Sequence, residues 1–296
     1  MNGRVDLHVH SNRSCDGDFS PAELVGFARE NGLRAMSIAD HDTVAAYPEA
    51  LELGGAAGVE VIPGLELTTL YDGREFHLLL PFVDWRSPAV AALVARQERS
   101  RTEEAAERVE KLRRLGFVLT WEEVREKANG TPPLGVKIAQ ILLDKPENAR
   151  NPVLEYFYRE VNRGAGPYLF YREFFTEGKL AHVPKKFVGL LEALAEAPAT
   201  GGVPVLSHPG AYFQRTTRDD ARALRANGLA GLEVYTSYHA PEQVEFYRAL
   251  AEDLDLVATA GSDFHGRIKP HVVFGALAEG DYAMVERLRS RKGGRA

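Results

Sequence analysis

One cysteine, Cys15, is all that the 296-residue chain contains, which excludes an internal disulfide and any multi-cysteine zinc framework and points to a reducing compartment. Long apolar runs are missing too: none approaches the roughly 18 residues of a membrane span. The opening MNGRVDLHVH lacks the basic-then-apolar order of a signal peptide, so cytoplasm is the expected location. There is no excess of basic charge. With 36 Lys and Arg against 42 Asp and Glu the net charge is −6, which argues against a duplex-DNA binder, because counterion release needs a dense basic face. A small phosphorylated substrate needs only a local patch. Repeats at solenoid or propeller spacing are absent as well. What is present is a soluble globular composition, long enough for one barrel-sized domain carrying an insertion.

Strand and helix signals alternate from the start. Val5 to His10 reads as a strand. Ser20-Pro21-Ala22-Glu23 then supplies an N-cap, a proline at the first helical position and a capping-box glutamate. Arg34 to Ala39, Val59 to Leu67 and Glu75 to Val83 read as further strands, with a helix from Thr43 to about Ala57. The pattern resumes with strands at Val203 to Ser207, Leu232 to Tyr235 and Leu256 to Ser262, and helices from about Asp219 and Pro241. Between the two blocks lies a helical stretch, Arg/Glu-rich from Ser87 to Gly116 and aromatic-rich from Tyr156 to Phe175. The expected division is residues 1–84 and 184–296 for the barrel and 85–183 for a helical insertion that caps the substrate.

Nine histidines are present, and six of them fall at strands or strand ends. In Asp6-Leu7-His8-Val9-His10 the alternation of a strand points His8 and His10 to one face, with Asp6 behind them as a candidate orienting partner. Strand two ends Asp40-His41-Asp42, strand three ends Gly64-Leu65-Glu66, and strand four contains His77. Strand five ends Ser207-His208-Pro209, and the last ends Gly261-Ser262-Asp263-Phe264-His265. In a β/α barrel such ends form one rim. Imidazole and carboxylate without thiolate suit Mn, Fe or Zn, and the set is too large for one tetrahedral ion, so two or three divalent ions are expected. Ions clustered in this way favour hydrolysis of phosphate esters by a metal-bound hydroxide.

Together with Ser14-Cys15-Asp16-Gly17, these motifs resemble those of the PHP (polymerase and histidinol phosphatase) family, over the first strand-rich block and the C-terminal block. The resemblance implies a distorted seven-stranded (β/α) barrel with a helical insertion domain and a trinuclear site. By that likeness His8, His10, Glu66 and Asp263 hold one metal, and Glu66 bridges to a second held by His77 and His208. Asp16, His41 and His265 hold the third. Chemistry is then assigned to His8, His10, Glu66, Asp263 and His265. The branch of the family with a helical insertion is the more similar one, which implies nucleotides of the AMP or 3′,5′-bisphosphate type, or the 5′ end of short single-stranded RNA or DNA, as substrate. Where that branch has an arginine after His-Pro-Gly this chain has Ala211, and where its insertion carries a histidine this chain has Lys137. Lys137, Arg215, Arg13 and Arg267 are the candidate phosphate-binding cations. Competing readings are a histidinol-phosphate-type phosphatase, a C–N or C–O metallohydrolase and a non-catalytic metal-binding module. His182, His239 and His271 read as surface or packing residues, Asp42 as a helix cap, Asp40 as a partner of the ligands and Cys15 as a spacer.

Overall fold

The computed structural model describes residues 3–14, 16–128, 132–162, 164–277 and 279–293; the spacer role expected of Cys15 lies outside them. Two compact units are present, the first formed by the chain up to Ala95 together with Val188 onward, the second by Arg96–Phe187. No helix among the described residues is long and apolar enough to cross a membrane.

The first unit runs β1 (Arg4–Val9), α1 (Pro21–Glu30), β2 (Leu33–Ile38), α2 (Tyr47–Ala57), β3 (Glu60–Val61), β4 (Glu66–Tyr71) and β5 (Arg74–Leu79). α1 starts at the expected capping box: the Ser20 side chain accepts from the Glu23 amide and the Glu23 carboxylate accepts from the Ser20 amide. The expected strand Val59 to Leu67 is two strands, because Pro63-Gly64 interrupts it. β4 and β5 form an antiparallel hairpin whose turn is Asp72-Gly73, both at positive φ, 48° and 71°, as a two-residue turn of matching twist requires.

After the second unit the chain continues with α8 (Leu190–Thr200), β6 (Val205–Leu206), α9 (Arg218–Ala226), β7 (Gly231–Thr236), α10 (Pro241–Asp253), β8 (Val257–Gly261) and α11 (Tyr282–Ser290), the intervening helices α3 to α7 being given below. The strands form two sheets, a parallel β1-β2-β3 and a mixed β4-β5-β6-β7-β8. The described residues thus form a mixed α/β fold with eight strands in two sheets, neither of them closed. The hairpin turns β5 against its neighbours, so β5 is antiparallel to both β4 and β6. Isolated bridges join Val9 to Phe264 and His41 to Glu66.

Apolar residues facing inward from these elements build the unit's core. Leu67, Phe76, Leu78, Leu232 and Val234 are fully buried in one cluster, and Val9, Met36, Ile38 and Tyr47 in another. The first residues of the long helix α3 (Pro88–Arg114), Val90 and Leu93, belong to the first of these clusters. That is why the division falls at Arg96 rather than at the expected residue 85.

The second unit contains the remainder of α3, then α4 (Trp121–Lys127), α5 (Gly135–Leu143), α6 (Glu155–Tyr158) and α7 (Gly166–Phe174). Its own core is aromatic: Phe117, Phe157, Phe170, Phe174 and Phe175 are buried together, and Phe170 stacks on Phe174 at 4.2 Å. Tyr156, Tyr158 and Tyr168 are exposed.

Truncating a fully buried core side chain loses its transfer free energy and leaves a cavity. Leu232→Ala, near the start of β7, is expected to lower the unfolding free energy by about 2–5 kcal/mol in chemical denaturation; a change below about 0.5 kcal/mol would contradict this core.

Candidate metal centre

The first strand delivers its histidines as the period of two dictates. His8 and His10 are both fully buried, and their Nε2 atoms lie 3.0 Å apart. Glu66 opens β4, and Asp263 follows β8 in a left-handed conformation, φ 57°. His8 Nε2 is 3.2 Å from Glu66 Oε2 and 3.3 Å from Asp263 Oδ1; His10 Nε2 is 3.2 Å from each of the same two oxygens. Five of the six edges of the tetrahedron these four atoms form are 3.0–3.3 Å long, and all lie within 4.8 Å. Ligands placed about 2.0–2.1 Å from one ion at tetrahedral angles are themselves about 3.3–3.4 Å apart. Glu66 Oε2 and Asp263 Oδ1 are buried without a hydrogen-bond donor, a costly state for a carboxylate unless a cation faces it. Donor set, spacing and orphaned oxygens all fit a divalent metal.

Two further groups adjoin the first. His10, Asp16, His41 and His265 bring ligand atoms within 4.8 Å of one another, and so do His41, Glu66 and His77. Asp16 Oδ2 lies 3.3 Å from His265 Nε2 and 3.6 Å from His41 Nε2. The other oxygen of Glu66, Oε1, is 3.1 Å from His77 Nδ1 and 3.2 Å from His208 Nε2. His41 Nδ1 is 3.2 Å from Glu66 Oε2, so His41 stands beside Glu66 as well as beside Asp16. All nine residues singled out from the sequence meet in this one region.

Hydrogen bonds behind the rings set their tautomers. His8 Nδ1 donates to Glu233 Oε1 at 3.0 Å and His265 Nδ1 donates to the Asp263 carbonyl at 2.9 Å, which leaves both Nε2 atoms as lone-pair donors to a metal. Glu233, on β7, also accepts from the His208 amide at 2.8 Å. His208 itself sits at φ 23°, a left-handed conformation held by this contact and by the Gln214 side chain, which donates to the Ser207 carbonyl. Sequence reasoning missed Glu233; its signal was a carboxylate inside the apolar strand Gly231-Leu232-Glu233-Val234, a position that must have a partner.

Several supporting residues act differently from expectation. Asp6 does not orient the imidazoles: its Oδ1 accepts from the Ser262 and His8 amides, tying β1 to the end of β8. Asp40 accepts from the Ser11 amide and hydroxyl and so shapes the loop after β1. Asp42 is not a helix cap. α2 has Ala46 there, and Asp42 accepts instead from the Thr68 amide. His239 is a packing residue: its Nδ1 donates to Val234, its Nε2 accepts from the Gly210 amide, and its ring stacks on Tyr247.

The expected phosphate-binding cations lie on different elements. Arg13 pairs with Glu49, Arg267 with Asp18, and Arg215 is exposed at φ 48°. Lys137 is an exposed residue of α5 in the second unit. Among the described residues Lys269, which the sequence pattern did not mark, lies against the candidate ligand Asp263: its Nζ is 2.5 Å from Asp263 Oδ2.

Electrostatics at the cluster are dominated by burial working against opposite charge. Burial pushes Glu66 up, but the imidazoles of His8, His41 and His77 outweigh it and hold the carboxyl well below its usual range. The same balance, with His41 and His265 for Asp16 and with His265 and His8 for Asp263, keeps both of those acids ionised. Burial alone would lower His10 and His77, yet Asp263 and Glu66 raise the first to about 9 and Glu66 and Glu75 raise the second to about 9. His41 and His208 go the other way, pushed down by burial.

This is the setting in which comparison with known proteins becomes informative. The PHP domain family matches residues 6–115. The chain is 30% identical over 274 residues to the phosphoribosyl 1,2-cyclic phosphate 1,2-diphosphodiesterase of Eggerthella lenta, covering 91% of this chain and 97% of that one. It is 27% identical over 267 residues to a 5′-3′ exoribonuclease of Haemophilus influenzae, 90% of this chain and 91% of that one. The crystal structure of a protein from Bifidobacterium adolescentis assigned as a metal-dependent phosphoesterase aligns with TM-score 0.77 at 27% identity, covering 98% of this chain and 96% of that one. The site and fold are those of a metal-dependent hydrolase of phosphate esters. The chain belongs to the PHP family.

Because His10 and His77 carry protons at neutral pH in the absence of cations, a metal must displace them. Calorimetric titration with Mn(II) at pH 7.5, in buffers of different ionisation enthalpy, should read a net release of protons, and affinity should rise from pH 6 to pH 9. Proton-neutral binding with a flat pH profile would contradict the assigned ligands.

Proposed function

We propose that this protein hydrolyses phosphate esters of nucleotides, of the AMP or 3′,5′-bisphosphate type, or the 5′ end of short oligonucleotides, at a trinuclear metal site. The observation that carries the reading is the buried tetrahedron of His8, His10, Glu66 and Asp263, adjoined by two further groups, one sharing His10 with it and the other Glu66, and both containing His41. In this reading His8, His10, Glu66 and Asp263 hold one divalent ion of the Mn, Fe or Zn class. Glu66 with His77 and His208 holds a second, and Asp16 with His41 and His265 a third. When bound, such ions supply Lewis acidity, lowering the pKa of water and neutralising charge on phosphoryl oxygens.

The chain's own residues do the rest. Glu66 turns its two oxygens to different imidazoles, so it would serve as a ligand common to two of the groups. Glu233 and the Asp263 carbonyl hold His8 and His265 in the tautomers that coordinate. Burial of the cluster excludes bulk water, which strengthens every charge interaction with a bound phosphate. The similarity to an exoribonuclease over most of both chains supports a nucleotide or oligonucleotide substrate. The 30% identity to a cyclic-phosphate diesterase favours, as a second reading, a diester of a phosphorylated sugar. The bridges from Val9 to Phe264 and from His41 to Glu66 support reading the two sheets as a distorted, incompletely closed barrel whose rim is the metal centre.

His10→Ala and Asp263→Ala should each lose bound metal and at least about 100-fold in turnover, since both remove a ligand. Metal analysis beside a substrate panel with Mn(II) checks this. The panel holds AMP, adenosine 3′,5′-bisphosphate, a 5′-phosphorylated trinucleotide, a ribose cyclic phosphate and histidinol phosphate. Preference for a nucleotide or the trinucleotide is expected. Preferential cleavage of histidinol phosphate, or full turnover in either variant, would overturn the reading.

A further inference from the structure

We propose that Lys269, held between Asp263 and Tyr238, is the residue that receives a phosphoryl oxygen of the substrate on the protein side of the metal centre. The inference deepens the phosphoesterase reading and rests on it. Lys269 Nζ donates to Asp263 Oδ2 at 2.5 Å and to the Tyr238 hydroxyl at 2.9 Å. An ammonium has three donors; these two contacts leave one. The side chain is 22% exposed, so Lys269 is not sealed from solvent, and two contacts hold its ammonium. Asp263 turns its other oxygen to His8 and His10, which places the ammonium one carboxylate away from the four-atom tetrahedron.

The surroundings suit an anion with an aromatic or sugar group attached. Tyr238 lies 4.9 Å from the His208 ring, and Phe213 lies 5.3 Å from His77 and 5.5 Å from His208, so apolar ring faces flank the ligands on this side. Two of the other cations are already paired with carboxylates: Arg13 with Glu49 and Arg267 with Asp18. A lysine acts on a phosphate as a point charge without demanding bidentate geometry. Fixing it by two contacts removes the rotamer entropy that a free surface lysine must give up on binding.

The test uses the full chain loaded with Mn(II), its metal content measured by mass spectrometry, and inorganic phosphate binding measured by calorimetry. Lys269→Met should keep its metal and bind phosphate at least about tenfold more weakly, the loss of one charge-assisted hydrogen bond. KM for AMP should rise with it. Lys269→Arg should recover part of the affinity. Tyr238→Phe should weaken phosphate about two- to fivefold, through looser placement of the ammonium. Phosphate affinity in Lys269→Met within about twofold of the parent would overturn the proposal. So would loss of metal with unchanged phosphate affinity in the loaded fraction, which would make Lys269 a support for Asp263 alone. If Lys269→Met does not fold, the Tyr238→Phe and Lys269→Arg affinities decide: both equal to the parent would overturn it. A parent that binds phosphate yet hydrolyses no phosphate ester defeats the functional reading, and the binding series still decides the role of Lys269.

Discussion

Glu66 is a fully buried carboxylate whose two oxygens face five imidazoles, and the cost of that burial organises the molecule. An isolated ionised carboxylate in such a place would be prohibitive. It is sustained because β1, β2, β5, the loop after β6 and the loop after β8 all end by presenting a nitrogen or a carboxylate to the same small volume. The close packing this requires is visible in the backbone. At Gly261 a Cβ would fall 2.2 Å from Glu233 Oε1 and 2.3 Å from His8 Cβ, so only glycine lets β8 pass beside the His8–Glu233 pair. His208 and Asp263 adopt left-handed conformations that side chains rarely take. Strain of about 1–3 kcal/mol per site is carried where ligands are aimed.

From this follows a division of labour. In the proposed site the carboxylates would supply negative charge for cations and the imidazoles lone pairs, and a layer behind them, Glu233, Asp6 and Asp40, fixes ring and loop positions. In the absence of cations, protons on His10 and His77 balance part of the carboxylate charge, so metals and protons compete for one set of atoms. Lys269 adds a positive charge that is neither metal nor imidazole, at the oxygen of Asp263 that points away from the rings. The net charge of −6 therefore says little about what a phosphate meets at this site.

Much of the candidate site was legible in the sequence, because strand periodicity forces His8 and His10 to one face and because His41, Glu66, His208, Asp263 and His265 were read at strand ends, while His77 lies inside a strand and Asp16 was marked only by the family resemblance. The capping box at Ser20 and the turn-rich segments were legible for the same local reason. Other features depend on contacts between distant segments. Glu233 meets His8 across 225 residues, and Lys269 reaches Asp263 from a loop with no periodic pattern. The hairpin at Asp72-Gly73 was not read from the sequence, and the apolar run from Val59 to Leu67 masked the break at Pro63-Gly64, so two strands were read as one and the antiparallel step was lost. Expectations built on single residues beside ligands, such as the capping role of Asp42 and the orienting role of Asp6, failed because their partners are backbone amides on other elements.

The central claim is that three groups of buried side chains exist to hold divalent cations for phosphate-ester hydrolysis. Anomalous diffraction from crystals reconstituted with manganese tests it most directly. The account predicts peaks within the His8, His10, Glu66 and Asp263 tetrahedron and in the two adjoining groups. Hydrolysis that persists in protein with no anomalous peak among these residues would contradict it.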